Sequence, residues 1–328
     1  MAVPTNTTQT YTRVNIREDL GDVIYSISPV DTPVLTMAKK MTATAKLHEW
    51  NIDSLASEGV NKHVEGDDDT AVASAATVKP GNRTQILKKT ASVAGSLESV
   101  DSAGFKSQMA YQMQKRSKEL KRDLEFALTQ NAALAAGDAS TAAQMAGLES
   151  WISTNVVAKR ETGMANPGFD SSDGSVAAPT DPTNSDAIEE ATFKTLIAEC
   201  WESGGEPDVL IAGSFNRQAI SGFTGIATLY RDTAPALDRA SIMGSADIYV
   251  SDFSGQGGIK IMADRFMRAK TALLLDFEML GVAYLRPFQT YELGKTGDNE
   301  KRTVMCEATL AVLNEAAHGK YVGLTTSA

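Results

Sequence analysis

The sequence predicts an α+β fold on three observations. A long amphipathic helix lies in the first half, short strands crowd the last third, and a stretch of some fifty residues ahead of the helix holds few core-forming side chains. The helix is expected at 104–134. There Phe105, Met109, Met113, Leu120, Leu124, Ala127, Leu128 and Asn131 recur at steps of three, four and seven, which is one stripe of a helix. Its other face sets Lys106, Lys115, Arg116, Lys118, Lys121 and Arg122 against Glu119, Asp123 and Glu125, six bases against three acids. About thirty residues at 1.5 Å each span roughly 45 Å. Asp101 or Ser102 is the expected cap, and Gly137 lies just past the end.

The other elements follow in chain order. Residues 1–45 are polar, then weakly apolar, with Pro4, Pro29 and Pro33 as punctuation. Leu20, Val23 and Ile24 suit two helical turns, but the segment has no core of its own and must lie on another surface. In 46–100, Lys46-Leu-His-Glu-Trp-Asn-Ile52 alternates like a half-exposed strand, and 83–93 is a second strand. Between them run Ala, Ser, Gly and Asp, with Gly66-Asp-Asp-Asp-Thr70 read as a solvated loop tip. So long a coreless loop is unusual in a compact domain, and a hairpin projecting onto a neighbouring subunit accounts for it.

After the long helix a second is expected over 145–157, then a surface loop over 161–185 rich in Gly, Ser, Pro and Asp. Asp186-Ala-Ile-Glu189 reads as a capping box for the next helix, which Gly204-Gly205 ends. Val209-Leu-Ile-Ala212 is a buried strand and 214–222 a helix. Strands are expected at 247–251, 259–262, 272–275, 282–285, 289–293 and 302–313.

Composition narrows the function classes. The chain has 328 residues, 42% hydrophobic and 22% charged, with a net charge of −10. An acidic balance argues against tight nucleic-acid binding by the whole surface, though one basic face can still lie near DNA. No apolar stretch is long enough for a membrane span, and the N-terminus lacks the basic start and apolar core of a secretory signal, so the cytoplasm is the expected compartment. Cys200 and Cys306 are read as free, buried small hydrophobes.

The chemistry of an active site is not found. His48, His63 and His318 stand far apart without a second ligand at metal spacing. The acidic run at 67–69 lacks the alternation and closing Glu of a calcium loop. Gly294-Lys-Thr296 lacks the glycine that a phosphate loop needs at position 289, which is Gln289. Gly255-Gln-Gly-Gly258 is read as a turn between strands. No nucleophile elbow appears. The reading is therefore no catalytic residue, no metal and no cofactor.

Three short motifs then carry a resemblance. They are the segment from Arg17 to Pro33, Trp201-Glu-Ser-Gly-Gly-Glu-Pro-Asp-Val-Leu210 with Arg217-Gln-Ala-Ile-Ser-Gly-Phe223, and Leu313-Asn-Glu-Ala-Ala-His-Gly319. Together with the segment order, they resemble the major capsid proteins of tailed bacteriophages, which have the Hong Kong 97 capsid fold. The resemblance implies an N-terminal arm (1–45), an extended β-hairpin loop (46–100), a peripheral domain with a spine helix (101–186), an axial domain (187–275) and a return to the peripheral domain (276–328). It implies hexamers and pentamers of an icosahedral head that encloses double-stranded DNA. Arg17, Tyr25, Trp50, Lys62, Asp67, Asp68 and Arg83 are the expected inter-subunit contacts, and Lys115, Lys118 and Arg122 the expected DNA-facing cations, in weak and sequence-blind contact.

The expected partners are further copies of the chain, a portal protein, a separate scaffolding protein and a decoration protein, with no membrane. Assembly is expected in the host bacterial cytoplasm. Only about 45 residues precede the loop, so scaffolding is expected to come from another protein or to be dispensed with. No motif around Lys62 or Lys79 supports covalent cross-linking. Two rival readings are an encapsulin-like cargo compartment and a small α/β ligand-binding enzyme built around Val209-Leu-Ile-Ala-Gly213; a surface adhesin fits poorly, for want of repeats and an export signal.

Overall fold

A computed structural model describes residues 31–56, 59–66, 68, 76–100, 106–223, 247–253 and 258–327. The elements in chain order are α1 (Pro33–Met37), β1 (Lys39–Thr42), β2 (Leu47–Glu49), β3 (Gly81–Arg83), β4 (Gln85–Ala94), α2 (Gly95–Ser99), α3 (Gln108–Thr129), α4 (Leu148–Trp151) and β5 (Val156–Val157). They continue with α5 (Glu190–Glu202), β6 (Val209–Ala212), α6 (Ser214–Ser221), β7 (Ile248–Tyr249), β8 (Ile259–Ala263), β9 (Ala272–Leu275), β10 (Leu280–Leu293), β11 (Asn299–Val312) and β12 (Gly319–Tyr321).

The long helix is α3, and its stripe is the one the spacing predicts. Met109, Leu120, Leu124 and Leu128 are buried, and Met113 and Ala127 half-buried. Each buried Leu contributes about 1.5–3 kcal/mol relative to an exposed one. At 22 residues the helix spans about 33 Å, shorter than expected. It starts later because Ser107 is its cap. Ser107 Oγ accepts the Ala110 N–H at 3.2 Å and donates to Glu98 Oε1 of α2, whose other oxygen accepts the Met109 N–H at 3.1 Å. It ends earlier because Gln130 turns extended, and Gly147 then passes so close that a Cβ there would lie 2.0 Å from the Gln130 carbonyl oxygen.

A four-stranded sheet, ordered β1-β10-β11-β4, packs against this helix. Leu120 meets Val304 and Cys306 of β11, while Met109 meets Ala91 and Val93 of β4. The two strands expected at 282–285 and 289–293 are one strand, β10, with register shifts on either side of Arg286. Pro287, which has no N–H to give the ladder, sits at the irregularity.

The second sheet is ordered β5-β12-β9-β6-β8-β7. β6 lies at its centre, parallel to β8 and antiparallel to β9, and every side chain of β6 and β9 is buried, which is why both read as unbroken apolar runs. Phe193, Leu196, Ile197 and Cys200 of α5 cover one face. The other face joins the core of the first sheet through Val209, Ile211, Leu273 and Leu275, where Trp151 is stacked on Phe169 at 5.8 Å.

Several expectations need correction. The helix at 145–157 is the single turn α4, because Ile152, Thr154, Val156 and Val157 are β-branched and β5 finds a partner in β12. Asp186 does not cap α5, which starts at Glu190. Its backbone bridges to the C-terminal tail instead, accepting from Thr325 and donating to Gly323. The end of α5 is as expected: Gly204 has φ +83 and Gly205 donates to the Cys200 carbonyl. In the last segment β10 and β11 join the helix-packed sheet, but β12 crosses to the six-stranded one. The stretch 46–100 also divides: β4 belongs to the body, and only the part before it departs. Both cysteines are free and buried, their thiols pushed up to about 12 by burial.

Candidate assembly and DNA-facing surfaces

The departing part is a two-stranded ribbon. β2 pairs with β3 in the register Leu47↔Arg83, His48↔Asn82 and Glu49↔Gly81, and Ile52 and Val78 exchange both backbone hydrogen bonds at 2.8 and 2.9 Å. Its root is fixed by Asn82, which is fully buried and donates to the carbonyls of Ala146 and Leu310. Past the Ile52–Val78 pair, large apolar side chains stand in the open: Leu55 is 99% exposed, Val60 83% and Val64 80%. Three such side chains on one short segment leave apolar surface open to solvent in the isolated subunit.

The expected contact residues separate on this frame. Arg17, Tyr25 and Asp67 lie outside the described residues. Trp50 is half-buried within its own subunit, its ring 5.4 Å from Trp151 and 6.0 Å from His48, and so belongs to the root rather than to an outer face. Lys62 and Asp68 are exposed on the projecting segment. Arg83, half-buried, lines a cleft of about 400 Å³ at the root of the ribbon, together with Lys46.

The N-terminal attachment rests on a residue that the sequence hid. Glu125, on the buried side of α3, accepts the N–H groups of Val34 and Leu35 at 2.8 Å each and so caps α1, whose own Thr32 makes no capping bond. Burial, with Asp264 nearby, pushes the Glu125 carboxyl up to about 7, against the opposing pull of the two N–H donors. From there β1 pairs in parallel with β10. Through α1 and β1, residues 33–42 are thus anchored on their own subunit.

Of the expected DNA-facing cations, Lys115 and Lys118 are exposed on α3, with Lys121 beside them. Arg122 is partly withdrawn, its guanidinium 5.3 Å from the centre of the Phe266 ring. Arg116 and Lys89 are paired with Glu119 and Asp123.

A second group of charges escaped sequence reading altogether. Lys320 is fully buried on β12 and donates to the Glu149 carbonyl at 2.6 Å, while the Glu149 carboxylate is bound by Arg268 at 2.6 Å, which also holds Asp181. Burial pushes Glu149 up to about 7 and Lys320 down to about 8, each partly opposed by the other charges of the group. His318 is buried as well, lowered to about 4, its Nδ1 accepting the Asp276 N–H. These groups tie α4, the 181 loop, the 268 loop and the C-terminal strand together.

Gly213 precedes α6, and a Cβ added there would lie 3.3 Å from the Ala269 Cα, so the 269 loop packs closely on this turn. Among the described residues no helix is long and apolar enough to cross a membrane.

Comparison with known proteins decides the family, because a family model described as SU10 major capsid protein matches residues 3–325. The chain belongs to the SU10 major capsid protein family. A curated relative, the major capsid protein of Escherichia phage Phieco32, is 26% identical over 323 residues, covering 89% of this chain and 90% of that one. Among solved structures, the Cyanophage A-1(L) capsid asymmetric unit has a TM-score of 0.68 at 12% identity, covering 97% of this chain and 100% of that one. The capsid of a native GTA particle has a TM-score of 0.62 at 11% identity, covering 98% and 100%. The SrpI encapsulin of Synechococcus elongatus PCC 7942 has 0.57 at 13% identity, covering 98% and 97%.

The fold is thus the Hong Kong 97 capsid fold. The encapsulin shares it, and the family match separates this chain from that rival. The chain is the major capsid protein of a tailed phage, a structural component of the virion that self-associates into an icosahedral shell.

Proposed function

We propose that the subunit forms the hexamers and pentamers of a phage head enclosing double-stranded DNA, with the loop beyond Ile52–Val78 laid over the next subunit. The carrying observation is the exposure of Leu55, Val60 and Val64 on a segment that the ribbon holds away from its own core. In this reading residues 1–45 are the arm, 46–100 the extended loop with 53–77 as its projecting part, and 101–186 the peripheral domain built on α3. Residues 187–275 are the axial domain, and 276–328 return to the peripheral domain, except that β12 closes the axial sheet. Lys62, Asp68 and Arg83 contribute to the inter-subunit contact, together with Arg17, Tyr25 and Asp67. Lys115 and Lys118, with a lesser part for Arg122, face DNA in sequence-blind phosphate contact. The subunit acts without catalysis or cofactor. Portal, separate scaffolding and decoration proteins are its other partners, and assembly takes place in the host cytoplasm.

The test is deletion of residues 53–77, closing Ile52 to Val78 with a two-residue turn. The two ends already exchange hydrogen bonds, so closure costs little. The shortened subunit should keep its circular dichroism and melting temperature yet give no closed shells by electron microscopy. Shells of ordinary size would overturn the proposal.

A further inference from the structure

We infer that the acidic tip of the loop in one subunit docks into the cationic cleft at the root of the same loop in its neighbour. The inference rests on the reading that the loop crosses a subunit boundary, and it adds where the loop lands.

The cleft, about 400 Å³, lies between the start of β4 and the turn around Gly137, and Lys46, Arg83, Ile86, Asp138, Thr141 and Glu307 contribute to its walls. Its own acids are already engaged. Glu307 accepts from both Nε and Nη2 of Arg286 at 2.7 Å and from the Thr84 hydroxyl at 2.8 Å. Asp138 accepts with Oδ1 from the Ser140 N–H, the Ser140 hydroxyl and the Thr141 N–H, which hold its carboxyl down to about 2. Neither Lys46 nor Arg83 forms an ion pair among the described residues, and the buried Arg83 Nε has no acceptor. A buried donor left so is destabilising, and an incoming carboxylate removes that cost.

The tip supplies the complement. Over residues 53–77 the chain carries six acids (Asp53, Glu58, Glu65, Asp67, Asp68, Asp69) and one base, Lys62, a net charge of −5. Four of the six fall within 65–69, where Glu65 is exposed and Gly66 turns the chain with φ +86. The apolar surfaces match as well: exposed Val60 and Val64 precede the acids, and Ile86, 51% exposed, stands at the cleft. The ribbon from Lys46 to Ile52 sets about 20 Å of extended chain, at roughly 3.3 Å per residue, between the root and the base of the projecting segment, so the tip reaches its own cleft only by folding back along the ribbon. The inferred occupant is therefore the tip of a second copy.

Charge reversal in the full chain tests this. Lys46→Glu with Arg83→Glu, and separately Asp67→Lys with Asp68→Lys and Asp69→Lys, should each lower the yield of closed shells at least about tenfold, since like charges then face each other. Lys46→Glu alone, at an exposed position, should lower it less and serves where the double change impairs folding. The chain carrying both sets of reversals should regain shells, because every subunit supplies one cleft and one tip. Normal yields from both separate reversals would overturn the inference. So would failure of the combined chain to recover while its melting temperature stays that of the unaltered subunit, an outcome that points to a different occupant such as an acidic segment of another protein. The broader reading fails separately, if deletion of 53–77 leaves shells intact.

Discussion

Two regions of this subunit invert the usual rule of burial in opposite ways. At the junction of the two sheets, Glu149, Lys320 and the inner part of Arg268 are charged groups taken out of water. On the projecting loop, Leu55, Val60 and Val64 are apolar groups left in it. The first inversion is largely settled within the chain: Arg268 binds one Glu149 carboxylate oxygen and Asp181, and Lys320 donates to the Glu149 carbonyl, while Glu149 Oε1 is left without a hydrogen bond. Among the described residues nothing covers the second. In the proposed assembly a neighbouring subunit covers it, whereas the junction is held within one subunit.

The strongest way to break this contrast is Arg268→Ala. It leaves the Glu149 carboxylate buried beside Asp181 without its cation, and removing one partner of a buried pair costs about 3–5 kcal/mol. Urea unfolding of the subunit should show that loss. A change below about 1 kcal/mol would mean that the junction is not what holds the two sheets together.

Glu125 comes next and has a pH signature. Its carboxyl titrates near 7 in the fold and near the ordinary value of 4.5 unfolded, so the folded state binds the proton more tightly. The associated stability is fully present below about pH 4.5 and is lost as pH rises through about 7, on the order of 3 kcal/mol in all. Glu149 follows the same sign, while His318, lowered in the fold, adds stability above about 6.5 that is lost as pH falls toward 4. The comparison is therefore with Glu125→Gln, whose melting temperature between pH 5 and 8 should fall by less than that of the unaltered subunit. Equal slopes would remove Glu125 from the account.

The loop should behave in the opposite way. Leu55→Ser, Val60→Ser and Val64→Ser together should leave subunit stability within about 0.5 kcal/mol, because nothing is unpacked. Shell yield should nevertheless fall sharply. A destabilised monomer would show that these side chains are covered by their own subunit.

How far the sequence reveals this division depends on the range of the interaction. The α3 stripe and the longer strands of both sheets are legible, since periods of 3.6 and 2 and unbroken apolar runs are local consequences of one-sided or full burial, whereas the short strands β1, β5 and β12 carry no such pattern. The cap at Ser107 is also local, but Asp101 and Ser102 compete for the same signal. The short α4 is less legible: Met145, Leu148, Trp151 and Ile152 have helical spacing, and only the pairing of β5 with β12, more than 160 residues away, decides against a helix. The same distance hides the charges. Glu125 looks like one more acid on a polar face, until its bonds to Val34 and Leu35, about 90 residues earlier, turn it inward. Trp50 looks like a contact residue because nothing nearby reveals Trp151. The projecting loop, in contrast, was legible through a lack: its composition offers too little to build a core, and that needs no partner to be seen.

The smallest effect is expected on α3. Lys115→Gln with Lys118→Gln removes two solvated cations that make no ion pair among the described residues, so subunit stability should stay within about 0.5 kcal/mol. If the two face DNA, each removes one phosphate contact. The slope of log affinity against log salt for a random duplex should then become shallower by about two, at roughly 0.9 per contact. Arg122→Gln separates the two roles that the sequence assigns alike. Its guanidinium lies over Phe266, so the change should lower stability by about 0.5–1 kcal/mol and move the salt slope less than either lysine does. An equal slope change from all three would place Arg122 in the solvated row with the lysines, and the contact with Phe266 would then contribute nothing measurable.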